Sequence, residues 1–353
     1  MIPAAVTLPT PQDAQARANA PGAVALDAHA GAWQLAWREA IRDPRELLAL
    51  LGLDALGERL AGEAALRFPL RVPRAFAARM RHGDPHDPLL RQVLPLDDED
   101  RVVPGYALDA VGDAAANAGS GVLRKYRGRA LLVATGSCAV HCRYCFRRHF
   151  PYAEETASRD AWHAAVATVA GDGSIAEVIL SGGDPLSLST HKLARLTDAL
   201  RPIPHLRRLR IHTRLPIVLP ERVDAPLLRW LSALPWPVTV VVHANHANEF
   251  DADVDDALAR LRGAGALLLN QAVLLRGVND SVEALAALSE RGHAAGVLPY
   301  YLHQLDRVTG AAHFEVDDAR ARALYRALAA RLSGYLVPRL VREVAGDPGK
   351  RPM

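Results

Sequence analysis

The sequence predicts an α/β protein, a partial (β/α)6 TIM-like barrel behind an N-terminal helical extension. Two patterns carry this. From Arg129 onward, apolar β-rich runs alternate with helical runs six times, and continuous apolar strands between helices mark a parallel sheet covered by helices. Polar residues also recur just after these strands, at the end where chemistry sits in such barrels. Six units fall short of the eight of a closed barrel.

Residues 1–28, rich in Ala, Pro and Gln, read as a flexible arm. Residues 29–123 read as the helical extension. Asp43-Pro44 opens one helix there, because Asp caps well and Pro suits the first turn. Leu47, Leu48, Leu50 and Leu51 line its apolar side, and Pro73, Pro85, Pro88 and Pro95 break the rest of the extension into short pieces. Residues 124–353 form the core. Its expected strands are 130–135, 177–181, 209–213, 238–243, 266–274 and 297–301. Helices are expected near 158–170, 190–201, 224–233, 251–263, 281–293 and 317–332, with Leu193, Leu196 and Leu200 at the spacing of one buried face. A cysteine-rich loop then follows the first strand, Ser181-Gly182-Gly183-Asp184 the second and His212-Thr213-Arg214 the third. His243 ends the fourth, Asn279-Asp280 lies after the fifth and His303-Gln304 after the sixth.

Composition excludes several classes. The formal net charge is only +3, and no basic run carries interleaved aromatics, so nucleic-acid binding is not expected. No apolar stretch is long enough to span a membrane, and the N-terminus lacks the charged and apolar regions of a signal peptide. Clustered free thiols without a targeting segment point to the cytoplasm.

The chain has three cysteines, all in one loop: Cys138, Cys142 and Cys145. Spacing of C-x3-C-x2-C suits three irons of a [4Fe–4S] cluster. Such clusters usually take four cysteines, so the fourth iron is left for another ligand, and S-adenosylmethionine (SAM) is the obvious one. Zinc is the competing reading and needs a fourth ligand, which His141 or His149 could supply.

Lysine usage is the second clue. Of 42 Lys plus Arg, three are lysines: Lys125, Lys192 and Lys350. Arginine cannot replace lysine where a neutral amine must attack a carbonyl, so each survivor is a candidate for amine chemistry. Lys350, in G-D-P-G-K-R-P-M, could form a Schiff base with pyridoxal phosphate (PLP) or be a solvated tail residue. Lys125, Tyr126 and Arg129 could bind a phosphate, or be a solvated approach to the first strand. The Gly182-Gly183 turn would let backbone approach a ligand, and Asp184 could take a ligand amino group. Arg147 could hold a substrate carboxylate or balance the cluster's charge. Asp280 and Glu343 could together neutralise a buried ammonium. The histidines near the barrel mouth receive no role.

K-Y-R-G-R, C-A-V-H-C-R-Y-C-F-R-R-H-F, S-G-G-D-P-L, L-L-R-G-V-N-D and the terminal lysine together resemble the lysine 2,3-aminomutase family of radical SAM enzymes. The chain is most similar to the bacterial branch that makes (R)-β-lysine for elongation factor P (EpmB). The resemblance implies Cys138, Cys142 and Cys145 as cluster ligands and Lys350 as the PLP lysine. It places the PLP phosphate on Lys125, Tyr126 and Arg129, and SAM's methionine amino group on Ser181, Gly182, Gly183 and Asp184. The lysine carboxylate falls to Arg147, and the side-chain ammonium to Asp280 and Glu343. It further implies the radical SAM type of barrel, an electron donor such as flavodoxin or ferredoxin, and transfer of product to the elongation factor P lysylation enzyme. The chain departs in carrying Glu343 where fermentative members have Asp, and in lacking their later zinc-binding cysteines. A catabolic lysine aminomutase, a PLP-independent radical SAM enzyme and a non-enzymatic iron–sulfur or zinc protein are the alternatives.

Overall fold

Seven parallel strands form the centre of one open sheet in the computed structural model, which describes residues 31–117, 121–152 and 161–353. In chain order the strands are β1 (Val122–Leu123), β2 (Arg129–Thr135), β3 (Glu177–Gly182), β4 (Arg208–Thr213), β5 (Val238–Val242), β6 (Leu267–Val273), β7 (Leu298–His303), β8 (Arg339–Arg342) and β9 (Arg351–Pro352). They lie in the sheet in that same order. Strands β2 to β8 pair in parallel, while β1 and β9 are antiparallel two-residue strands that cover the two edges. Such short covers blunt an otherwise open edge. The predicted barrel of six units is therefore extended by a seventh parallel strand. The expected arm, residues 1–28, lies outside the described residues.

Sequence explains the barrel directly. In β5, V-T-V-V-V, all but Thr239 are buried, as a strand covered on both faces requires. The outer helices begin at side-chain caps that satisfy otherwise orphaned N–H groups. Ser189, Asp224, Asp251, Ser281 and Asp317 cap Thr190–Leu200, Ala225–Ser232, Ala252–Gly263, Val282–Ala294 and Asp318–Arg331.

The extension is short helices and turns, as its prolines predict. Asp43 accepts from Arg45 N at the start of Pro44–Leu51, whose Leu47, Leu48 and Leu51 are buried. Leu50, expected beside them, is 50% exposed because it falls on the opposite face. One continuous hydrophobic core joins Leu47, Phe76 and Leu90 of the extension to Leu132, Val178 and Leu209 of the barrel. A later stretch crosses the barrel mouth, where Ala107 pairs with Val308.

Two features position the site. The β8–β9 hairpin sets Arg342 opposite Arg351, so Lys350 returns beside Glu343. The Gly-Gly turn after β3 packs backbone against backbone with the start of the cysteine loop. A Cβ on Gly182, at φ +118°, would lie 2.5 Å from Thr135 O, and one on Gly183 would lie 2.5 Å from Ser137 O. The glycines thus let the two backbone segments pack directly against each other. Gly183→Ala is expected to destabilise the fold by about 1–3 kcal/mol, the usual cost of such local strain. Gly334→Ala, which meets open space, should leave the melting temperature unchanged in the same thermal-unfolding experiment.

Candidate active site

The cysteine loop leaves β2 and is anchored by buried arginines. Arg143 grips Glu99 with both prongs, Nε to Oε1 at 2.7 Å and Nη2 to Oε2 at 2.6 Å, and Arg148 Nη2 donates to the same Oε2 at 2.6 Å. Arg147 Nε donates to Asp113 Oδ2 at 2.6 Å and its Nη1 to Ser181 Oγ at 3.1 Å. Glu99 and Asp113 both come from the extension. Neither acid, both buried, was singled out in the sequence.

Cys138, Cys142 and Cys145 are free and half-buried. Burial, with Asp184 and the two other thiols nearby, pushes the Cys138 thiol well above its ordinary value. Burial and Cys142 raise Cys145 to about 11. Crowded thiols like these need metal to displace their protons. Among the described residues no three His, Cys, Asp or Glu converge on a point that could hold a single ion. A [4Fe–4S] cluster fits, since it takes one thiolate per iron. Of the histidines proposed for zinc, His141 Nδ1 lies 2.7 Å from Pro69 O and His149 Nε2 3.1 Å from Thr309 O, and among the described residues neither joins the cysteines in a group that could hold one metal ion.

Beside this loop the barrel mouth opens into a cavity of about 970 Å³, partly continuous with solvent. Lys125, Tyr126, Arg129, Arg147, Glu343 and Lys350 all line it. Lys350 Nζ donates to Glu343 Oε2 at 2.7 Å, and Tyr126 OH to Glu343 Oε1 at 2.5 Å. Lys125 Nζ lies 2.6 Å from Asp113 Oδ1 and 3.6 Å from Glu343 Oε1. Burial pushes the Glu343 carboxyl upward, but Lys350, Tyr126 and Lys125 outweigh it and hold the group below its ordinary value. The Arg129 guanidinium stacks 4.8 Å from the Tyr126 ring centre, with its buried Nε unpartnered. An orphaned guanidinium nitrogen near Lys125 fits a phosphate. Gln271 Oε1 and His303 Nε2 also line the cavity without partners, as fits a polar ligand reaching across the mouth. His212 and His303 are held far below their ordinary values by burial, and His243 at about 4 for the same reason, so all three are neutral.

Two expectations are corrected. Asp280 is not at the cavity: its Oδ1 accepts from Gly277 N at 2.9 Å, and it lies in a surface depression with Arg276, Arg307 and Arg320. The Asn-Asp pair is a turn, with Asn279 Oδ1 accepting from Leu275 N. The acid that lines the cavity instead is Asp306, three residues past β7. Its signal was its place: an acid just beyond His303, at the same mouth as the other loops. Asp184 is likewise spent internally. Its carboxylate accepts from Thr213 Oγ1 and from the backbone N–H groups of Leu186, Arg214 and Leu215, which leaves it no capacity for a ligand amino group. Ser181 Oγ accepts from Arg147 Nη1 at 3.1 Å, and Gly182 O accepts from Tyr152 OH at 2.8 Å.

The chain is similar to known proteins over most of its length. A family described as "4Fe-4S single cluster domain" matches residues 119–205, which contain all three cysteines. "L-lysine 2,3-aminomutase" of Escherichia coli (strain K12) is 49% identical over 322 residues, covering 91% of this chain and 94% of that protein. The chain belongs to the L-lysine 2,3-aminomutase family. Proteins of the same name from Haemophilus influenzae and Clostridium subterminale are 45% and 30% identical, over 90% and 93% of this chain and 94% and 79% of theirs. A solved radical SAM methyltransferase from Sphaerobacter thermophilus is loosely similar, with TM-score 0.42 and 18% identity over 63% of this chain and 68% of that one. As an aminomutase of this family the chain is a radical SAM isomerase with a 4Fe–4S cluster. No described helix is long and apolar enough to cross a membrane.

The arginine anchors make a prediction. Glu99→Gln leaves Arg143 and Arg148 buried without a counter-charge, and breaking a buried pair in this way costs about 3–5 kcal/mol. Iron bound per chain after anaerobic reconstitution should fall, together with the melting temperature. An unchanged iron content and melting temperature would refute the anchoring role.

Proposed function

We propose that this aminomutase is PLP-dependent and converts L-lysine to (R)-β-lysine for modification of elongation factor P. The observation that carries the reading is the convergence of Lys350, Lys125, Arg129, Arg147, Glu343 and Asp306 on one cavity beside the cysteine loop. Bound PLP would supply a conjugated system over which an unpaired electron could spread while the amino nitrogen moves from C2 to C3, and SAM held at the cluster would supply the radical that takes hydrogen from C3.

Lys350 is the amine that would hold PLP, and Lys125 and Arg129 its phosphate. Arg147, oriented by Asp113 and Ser181, would take the lysine carboxylate. The substrate's ammonium falls between Asp306 and Glu343. Lys350 itself supports this reading, because its own ammonium rests on Glu343 at 2.7 Å. Glu343 therefore already accepts from one primary ammonium within this cavity. Val111, Leu123, Leu131, Phe146, Ile179 and Val273 give the cavity apolar walls, which exclude water from reactive species. A substrate with an acidic side chain would meet two carboxylates and be rejected.

The elongation-factor role rests on the sequence resemblance, in which Glu343 stands where fermentative members of the family carry Asp. An electron donor such as flavodoxin or ferredoxin completes the reaction. The test is anaerobic incubation with PLP, SAM, dithionite and L-lysine, followed by chiral analysis. (R)-β-lysine is expected; no β-lysine from protein holding cluster and PLP would sink the proposal, and the (S) product would sink the elongation-factor role. Lys350→Ala should keep its iron but lose bound-PLP absorbance and turnover.

Asp306 gives a pH signature. Burial pushes its carboxyl up to about 7, with Lys350 pulling down and Glu343 pushing up. An ammonium binds the ionised form, so affinity for lysine rises with pH through that value and falls below it. KM for lysine should therefore drop as pH is raised from about 6 to about 8. Asp306→Asn should abolish the trend and raise KM by at least about tenfold, the usual worth of a hydrogen bond to a charged group. A parallel pH profile in the variant would remove Asp306 from the substrate site.

A further inference from the structure

Arg214 directly follows β4 and is 5% exposed. Its backbone N–H donates to Asp184 Oδ2 at 2.6 Å, which fixes where the side chain starts. Its guanidinium then spans a buried polar network through both Nη atoms, while its buried Nε has no partner. Nη1 donates to Cys142 Sγ and to Tyr144 OH at 2.7 Å; Nη2 donates to Gln92 Oε1 at 2.7 Å and to Glu249 Oε2 at 3.0 Å. Each partner is held in turn. Glu249 Oε1 accepts from Gln92 Nε2 and from the N–H groups of Asn245 and His246, and Asn245 Nδ2 donates to Tyr144 OH and Gln92 Oε1. Gln92, Asn245 and Glu249 are almost wholly buried. By contrast Arg143, Arg147 and Arg148 aim at Glu99, Asp113, Ser181 and backbone carbonyls.

We infer that Arg214 is a positioning residue that tunes the reduction potential of the cluster through Cys142, with Glu249 setting how much of its charge the cluster feels. The inference rests on Cys142 being a cluster ligand. One electron from a low-potential one-electron donor adds one negative charge to the cluster, and no bond need break for that step. A fixed cation donating a hydrogen bond to a ligand sulfur stabilises the reduced form more than the oxidised one. Hydrogen bonds to cluster sulfurs are among the main determinants of these potentials. In a buried site the charge is weakly screened. Glu249 opposes it from the far prong, so the two residues act on the potential in opposite directions.

That opposition separates tuning from simple structural support. The full chain is reconstituted anaerobically as wild type, Arg214→Gln, Arg214→Lys and Glu249→Gln, and iron and sulfide are quantified in each. Potentials are then read by titration with dithionite, following the electron paramagnetic resonance signal of the reduced cluster. Arg214→Gln should titrate at more negative potential, with the reduction equilibrium about tenfold less favourable, which is about 59 mV for one electron. Arg214→Lys should recover part of that shift, and Glu249→Gln should shift to more positive potential. Cluster-loaded Arg214→Gln at the wild-type potential, or both variants moving in the same direction, would overturn the proposal. Should Arg214→Gln fail to hold a cluster, Glu249→Gln decides alone, and an unshifted potential there overturns it. If Cys142→Ala retains the full cluster, the ligand assignment fails instead, which is a separate result.

Discussion

The site depends on one constraint, the pairing of buried arginines around the cysteine loop with acids that come from outside the barrel. Arg143 and Arg148 share Glu99, and Arg147 and Lys125 share Asp113. A guanidinium cannot shed its charge to escape burial, so each must find a carboxylate or the loop cannot close. Both carboxylates lie in the extension. The extension is therefore part of the candidate site and not an ornament on the barrel. Its Gln92 reaches equally into the network around Arg214.

The same pairing orders the chemistry in space. Asp113 links the cation assigned to the cofactor phosphate with the cation assigned to the substrate carboxylate, so those two anchoring points are held at a fixed separation. From the opposite side, the β8–β9 hairpin brings Lys350 back to Glu343. On the proposed function, the cavity lies between a loop that would serve radical generation and a C-terminal turn that would serve amine chemistry. Migration of an amine from C2 to C3 needs both within reach of one small molecule.

Much of this was legible in the sequence. The six strands and their helices were visible because β-branched runs alternate with capped amphipathic segments. Cys138, Cys142 and Cys145 stood out by isolation, and Lys350 because lysine is so scarce. Strand β8 was not visible, for Arg339–Arg342 is four residues with charged ends and two buried positions. Strands β1 and β9 are two residues each and exist only because neighbours present an edge. Asp280 misled because Asn-Asp after a strand looks the same whether it closes a turn or faces a ligand. Asp184 misled likewise, since its loop is at the right end of the barrel but its carboxylate serves as the internal cap of two segments. Asp306, Glu99 and Asp113 carry no local pattern at all. Their roles arise from long-range packing that spacing along the chain does not encode.

The most direct measurement is an anaerobic crystal structure with SAM, PLP and L-lysine bound. The account predicts the PLP phosphate against Lys125 and Arg129, the lysine carboxylate on Arg147, and the side-chain ammonium within hydrogen-bonding distance of Asp306 and Glu343. An ammonium bound at Asp280, or PLP attached to a lysine other than Lys350, would contradict it.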